Sequence, residues 1–257
     1  MMDVKSSIVA SLDGSSTDIL PYLPYLLKDI VEIGTDPNQV SQIIKKHIKN
    51  PNSLKVLDLG CGKGAVSVRL AKELGCEVVG IDALPDFIET AKQFALEMSV
   101  DHLCSFELGD MRELYSSYKN FDLVVLGAIG PVFGDIGKTL EKAAQCIKTD
   151  GHIILDDAYI PDGSNLKNSN YINQSDFYKR INKAGFTIVA EEVINPDNMW
   201  EGNKIIYKSI EKRANELIKL YPSKSQLFKD YLEEQRIENK ALENDLTCGV
   251  WLLKKTG

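Results

Sequence analysis

The run Val56-Leu57-Asp58-Leu59-Gly60-Cys61-Gly62-Lys63-Gly64 carries an apolar stretch into a glycine-rich turn, and Ala65-Val66-Ser67-Val68-Arg69-Leu70-Ala71 follows at helical spacing. This is the pattern of a strand, a tight turn and a helix N-terminus. Glycine lets the backbone take positive φ and come close to a ligand. The helix start offers free N–H groups and the positive end of a dipole. A second apolar run, 77–81, ends at Asp82. A carboxylate at the tip of a second strand can accept both hydroxyls of a ribose. The implied chemistry is the binding of a nucleoside-containing cofactor on an α/β sheet. Two glycine motifs fit poorly. A P-loop needs Ser or Thr after its lysine, and Gly64 follows Lys63. A dinucleotide fingerprint wants a third glycine where the chain has Ala65.

The same run resembles motif I of the class I S-adenosylmethionine (SAM)-dependent methyltransferases, and the resemblance continues in order. Asp82, followed by Ala83, stands where that family places its ribose ligand. Gly109-Asp110-Met111, after the strand-like 104–108, is similar to the adenine-contacting segment. The stretch 121–126 is similar to the fourth strand, with Gly127 beyond it, and 150–156 to the fifth strand and the turn before it. The resemblance covers residues 54–194. It implies SAM as cofactor and S-adenosylhomocysteine as product. It also implies cofactor contacts from Asp58, Gly60, Cys61, Gly62, Asp82, Ala83, Gly109, Asp110, Met111 and Gly127. The acids keep structural alternatives. Asp58 can be a strand-end cap, Asp82 can cap the helix that starts near Pro85, and Asp110 can cap a short helix. Cys61 reads as a packing residue rather than a nucleophile.

Methyl transfer from a sulfonium is an in-line displacement. The protein places the acceptor opposite sulfur, excludes water and only sometimes removes a proton. The sequence therefore fixes no catalytic residue. Ligands of open α/β sheets bind at the carboxyl ends of strands, which directs the acceptor to 127–131 and 156–159. Gly127 and Ala128 leave room near the sulfonium and offer no carboxylate to a divalent metal. Asp156, Asp157 and Tyr159 are the candidates for acceptor contact or catalysis, with strand-end hydrogen bonding as their alternative. Ile129, Tyr22 and Tyr25 of an N-terminal cover, and Trp200 of a late insertion complete the substrate candidates. These features describe a SAM-dependent methyltransferase acting on nitrogen or oxygen of a small molecule. The alternatives are an RNA or protein methyltransferase with the same core, a nicotinamide-dependent oxidoreductase and a catalytically silent SAM-binding protein.

The elements that must position these residues follow from periodicity. Strands are expected near 54–59, 76–81, 103–108, 121–126, 150–156, 186–194 and 246–253. Helices near 63–74, 85–98, 112–117, 135–148 and 175–184 alternate with them. That order implies a Rossmann-like, doubly wound, seven-stranded and mostly parallel sheet, and the family resemblance adds an antiparallel last strand. Residues 1–16 are polar and expected to be loosely ordered; helices at 19–34 and from Asp36-Pro37 complete an N-terminal cover, 1–52. The core is then 53–194 with 246–257, and 195–245 reads as a helical hairpin insertion, serving as a cap or a dimer surface.

The 257 residues are 44% hydrophobic, enough for a full core. A formal charge of −7 argues against nucleic acid as partner. Five cysteines, an odd count in strand-like surroundings, suggest reduced thiols in a cytoplasmic protein, and the lack of a CxxC pair argues against a zinc knuckle or a radical-SAM cluster. His47, His102 and His152 are scattered, so no metal site is expected. There is no signal pattern and no run near the roughly 18 apolar residues of a membrane span.

Overall fold

Strands that are apolar on both faces must be covered on both faces, and alternating them with helices does this. The computed structural model describes residues 3–164, 166 and 171–256. It begins with α1 (Val4–Ser11), α2 (Leu23–Leu26) and α3 (Pro37–His47). The sheet unit follows as β1 (Lys55–Leu59), α4 (Ala65–Leu74), β2 (Glu77–Asp82), α5 (Pro85–Glu97), β3 (Cys104–Leu108), α6 (Met111–Leu114) and β4 (Phe121–Gly127). Then come α7 (Ile136–Ala143), β5 (Ile147–Tyr159), α8 (Gln174–Lys183), β6 (Phe186–Val193), α9 (Pro196–Leu220), α10 (Ser225–Asn244) and β7 (Thr247–Lys255).

The described strands form one seven-stranded sheet in the order β3-β2-β1-β4-β5-β7-β6. Only β7 runs antiparallel to its neighbours β5 and β6. Val56, Val78, Leu123, Val125 and Ile154 pack on one face with Val40, Ile43 and Leu70. Leu57, Leu59, Val124, Leu126, Ile153 and Leu155 pack on the other with Leu140, Phe177 and Ile181. Successive side chains of a strand point to opposite faces, so each buried strand feeds both layers. The strand order reverses between β1 and β4, which pair in parallel. That reversal is the place where open α/β sheets open a crevice for ligands.

The N-terminus departs from expectation. Residues 4–11 are helical rather than loosely ordered, because Asp3 accepts a hydrogen bond from Ser6 N at 3.1 Å and Val9 is buried. The helix expected at 19–34 is instead a 3-10 turn, Thr17–Tyr22, followed by the short α2. Pro21 and Pro24 remove backbone donors within that stretch, so no long helix forms. The fifth strand starts at Ile147 and the preceding helix stops at Ala143, earlier than the sequence suggested.

The insertion is a helical hairpin, α9 and α10, turning at Tyr221–Lys224. Its apolar faces share a third core with the N-terminal segment. Ile210, Ala214, Leu217, Phe228 and Tyr231 pack with Val9, Ile19, Leu23 and Leu26, and with Leu84 and Phe87 at the start of α5. Phe228 is fully buried and meets the Tyr22 ring edge-on at 5.0 Å. Phe228→Ala is predicted to lower unfolding free energy by about 3–5 kcal/mol, measured by urea denaturation. It should also speed amide exchange in Leu23–Leu26. An unchanged urea midpoint would mean that hairpin and N-terminus are not one packing unit.

Candidate functional site

The glycine turn is held from the second strand. Gly60 N and Cys61 N both donate to Ile81 O, at 2.9 and 3.0 Å. Gly62 N donates to Asp82 Oδ2 at 2.9 Å, and Leu84 N donates to Asp82 Oδ1 at 2.9 Å. Burial raises the Asp82 pKa, while these backbone donors and Ala83 N pull it down. Asp82 thus shapes the turn as well as facing the cleft. Gly62 takes φ +53°, and a Cβ there would meet no protein atom within 4 Å. That open side is where the cleft lies, and a nucleoside cofactor fits the space a side chain would have claimed.

The cleft encloses about 950 Å³ of atom-free space, counting the solvent at its mouth. Its walls bring together Asp58, Gly60, Cys61, Gly62, Asp82, Ala83, Asp110, Met111, Gly127 and Ile129. Gly109 is not part of the wall; its N–H donates to Asp82 O at 2.9 Å, and a Cβ there would strike Leu114. Asp58 is buried and accepts from Ser67 Oγ at 2.6 Å. Burial pushes its carboxyl up to about 6, the Ser67 hydrogen bond opposes this, and the nearby Asp82 charge adds to it. Cys61 is buried, and burial raises its thiol well above the ordinary value, which suits packing rather than nucleophilic attack. Asp110 caps α6 by accepting from Arg112 N at 2.9 Å and grips the Arg112 guanidinium, with Nη2 at 2.7 Å. Burial pushes its pKa up, but Arg112 more than offsets this and holds the carboxyl below the usual range.

An N-terminal cover was expected, but sequence reasoning missed the segment that roofs the cleft. Val4, Ser7, Ile8, Ser11 and Leu12 of α1 and its end line it. The insertion anchors this helix: Tyr231 OH donates to Leu12 O at 3.0 Å, and Gln235 Nε2 to Asp13 Oδ2 at 3.2 Å. Lys63, used in the sequence only to exclude a P-loop, is buried at 4% exposure. Its ammonium donates to Leu27 O and Ile30 O, and stands 5.3 Å from the Phe87 ring. Burial lowers its pKa to about 8. The lysine ties the cofactor turn to the chain that follows α2. A lysine set between two glycines was the only signal of this role.

Several substrate candidates lie elsewhere. Tyr22 meets Phe228 edge-on and accepts from Lys224 Nζ at 2.8 Å. Tyr25 donates to Glu216 Oε2 at 2.7 Å with Arg213 over its ring. Both are spent on joining the N-terminus to the hairpin, because the proline-broken segment turns them toward α9 and α10. Trp200 is 51% exposed, with Lys204 Nζ 4.5 Å from its ring centre. Tyr159 is 5% exposed and packs among Phe177, Tyr178 and Trp251. Strand alternation turns it into the core face that holds Leu155. None of these four side chains lines the cleft. Asp156 and Asp157, at the end of β5, keep partial exposure but are likewise outside the cleft lining. Burial raises both, Asp156 to about 7 and Asp157 to about 6. Among the described residues no group of three His, Cys, Asp or Glu side chains is placed to hold a metal ion.

Strand order, antiparallel last strand and cleft position define the class I SAM-dependent methyltransferase fold. The chain belongs to the methyltransferase domain family, whose model matches residues 50–236. It is 26% identical over 160 residues to the uncharacterized methyltransferase YcgJ of Bacillus subtilis (strain 168), across 62% of this chain and 59% of that protein. It is 31% identical over 102 residues to a ubiquinone biosynthesis O-methyltransferase of Azorhizobium caulinodans, across 40% of this chain and 39% of that protein. The chain therefore spans less than two thirds of either relative's length. A crystal structure of a SAM-dependent methyltransferase from Thiobacillus denitrificans with S-adenosylhomocysteine superposes with TM-score 0.74 at 18% identity, covering 91% of this chain and 98% of that one. No helix among the described residues is long and apolar enough to cross a membrane.

The raised carboxyls set a pH dependence. Asp13, Asp58 and Asp157 titrate at about 6 and Asp156 at about 7 when folded. Their unfolded values lie near ~3.9. Between these limits the folded chain holds protons that the unfolded chain has released, so stability falls as pH rises. The Tm of the ligand-free protein is predicted to fall between about pH 5 and about pH 8, with a shallower fall in Asp58→Asn. A Tm that rises across that range would contradict the assignment.

Proposed function

We propose that the protein transfers a methyl group from SAM to nitrogen or oxygen of a small-molecule acceptor. The observation that carries this reading is the junction of Gly62, Asp82, Asp110 and Gly127 in one cleft roofed by α1. The family membership and the switch-point location support the cofactor. When bound, SAM supplies the methyl group already activated on a sulfonium, so the chain's own work is binding, orientation and exclusion of water. Asp82 accepts the ribose hydroxyls with lone pairs left free by Gly62 N and Leu84 N. Asp110 and Met111 flank the adenine side of the cleft, and Asp58 and the glycine turn face the amino-acid end. The α1 roof favours an acceptor small enough to enter a covered cleft, and the formal charge of −7 is unfavourable for nucleic acid. A relative named for an O-methyltransferase reaction in ubiquinone biosynthesis is consistent with a small acceptor.

The test is calorimetry with S-adenosylhomocysteine. The parent protein should bind it, and Asp82→Ala should bind roughly tenfold or more weakly, since hydrogen bonds to a charged group contribute about 1.5–3 kcal/mol each. Asp82→Ala should also melt earlier, because Gly62 N loses its acceptor. Preference of the parent for NAD over S-adenosylhomocysteine would overturn the reading.

A further inference from the structure

At the Gly127 end of the cleft stands the hydroxyl of Thr35, which lines the cleft, and behind Gly127 in the sheet stands the carboxyl of Asp156, which does not itself line it. Asp156 pairs in register with Gly127, and its own backbone carbonyl accepts from Ala128 N at 3.3 Å. Protein crowds its carboxyl, and the residue as a whole is partly exposed. The charged groups that act on it, Asp157 and Asp36, are both acids. Thr35 supplies the second, independent feature. It is 3% exposed, lines the cleft, and its Oγ1 makes no hydrogen bond. A buried hydroxyl without a partner costs stability unless a ligand completes it. A Cβ on Gly127 would come within 2.8 Å of that hydroxyl, so glycine keeps the approach to it open. Thr35 is near enough to Asp156 to favour its charged form, though not in hydrogen-bond geometry with it. A ligand atom placed between the two satisfies both.

Resting on the methyltransferase reading above, we propose that Asp156 and Thr35 form the acceptor subsite and that it selects an aliphatic amine. A crowded carboxylate without a cation demands one, and an ammonium group provides both charge and N–H donors. A carboxylate acceptor would be repelled by this acid cluster, and a neutral alcohol would gain no charge pairing from it. The step balances. The Asp156 carboxylate accepts a proton from the ammonium and frees the nitrogen lone pair. Nitrogen bonds to the methyl carbon as the carbon–sulfur bond breaks. The electron pair stays on sulfur, giving the neutral thioether S-adenosylhomocysteine, and the positive charge passes to the methylated nitrogen. The proton on Asp156 then leaves to solvent. Thr35 Oγ accepts one N–H of the amine and holds its lone pair toward the cleft.

The experiment uses the full chain, SAM labelled in the methyl group, and a cellular metabolite extract, with products separated on cation- and anion-exchange resins. Binding of n-butylammonium, 1-butanol and butyrate to the S-adenosylhomocysteine complex is measured in parallel by calorimetry. The label is expected in cation-retained products, and n-butylammonium is expected to bind where butanol and butyrate do not. Asp156→Asn should cut transfer roughly a hundredfold, the scale of a lost general base. It should weaken n-butylammonium roughly tenfold, with S-adenosylhomocysteine affinity unchanged. Thr35→Val should raise the acceptor KM more than it lowers kcat, and Thr35→Ser should restore it. Label in neutral or anionic products, or no transfer and no n-butylammonium binding while S-adenosylhomocysteine binds, overturns the amine subsite. Equal losses of S-adenosylhomocysteine affinity and turnover in both variants would place these residues in the cofactor site and also overturn it. A parent protein that fails to bind S-adenosylhomocysteine overturns the methyltransferase reading itself.

Discussion

Everything at the switch point depends on the Asp82 carboxylate being held by Gly62 N and Leu84 N, at 2.9 Å each. These contacts join the turn after β1 to the turn after β2, and Gly60 N and Cys61 N on Ile81 O reinforce the join. A buried carboxylate is unfavourable unless donors meet it, and the turn supplies them from its own backbone. The two strand ends are thereby locked together before any ligand arrives. Removing the carboxylate would loosen the turn and, on the proposed function, take away a ribose acceptor. Such preorganisation means that a cofactor need not order the loop that binds it.

The second dependence is between segments far apart in sequence. Lys63 reaches back to the carbonyls of Leu27 and Ile30, and Tyr231 and Gln235 reach to the end of α1. The insertion is therefore not a free appendage. It carries the apolar surface against which the N-terminal roof packs, and the roof lines the cleft. The contacts that hold this roof are a few hydrogen bonds to Leu12 and Asp13 and the packing of Val9.

What the sequence revealed and what it hid follow the range of the interactions. The sheet, the glycine turn, Asp82 and Asp110 were legible because they rest on local patterns: apolar runs, glycines, and acids at strand ends. Asp110 also shows that two roles can coincide, since it caps α6 and lines the cleft. Lys63 and α1 were illegible because their partners lie far away; Leu12 and Tyr231 are 219 residues apart. The tyrosines misled because an aromatic near a cleft looks the same in sequence whether it faces ligand or core. Tyr159 faces core by strand alternation, while Tyr22 and Tyr25 are held by Lys224 and Glu216.

The account places a cofactor and an acceptor end to end in one cleft, from Asp110 through Asp82 and Gly62 to Gly127 and Thr35. The most direct measurement is a crystal structure of the complex with S-adenosylhomocysteine. The account predicts the ribose hydroxyls on Asp82, the adenine beside Asp110 and Met111, and the sulfur facing the Gly127–Thr35 end with Asp156 beyond it. A ligand whose ribose lies away from Asp82, or whose sulfur points away from Thr35, would contradict it.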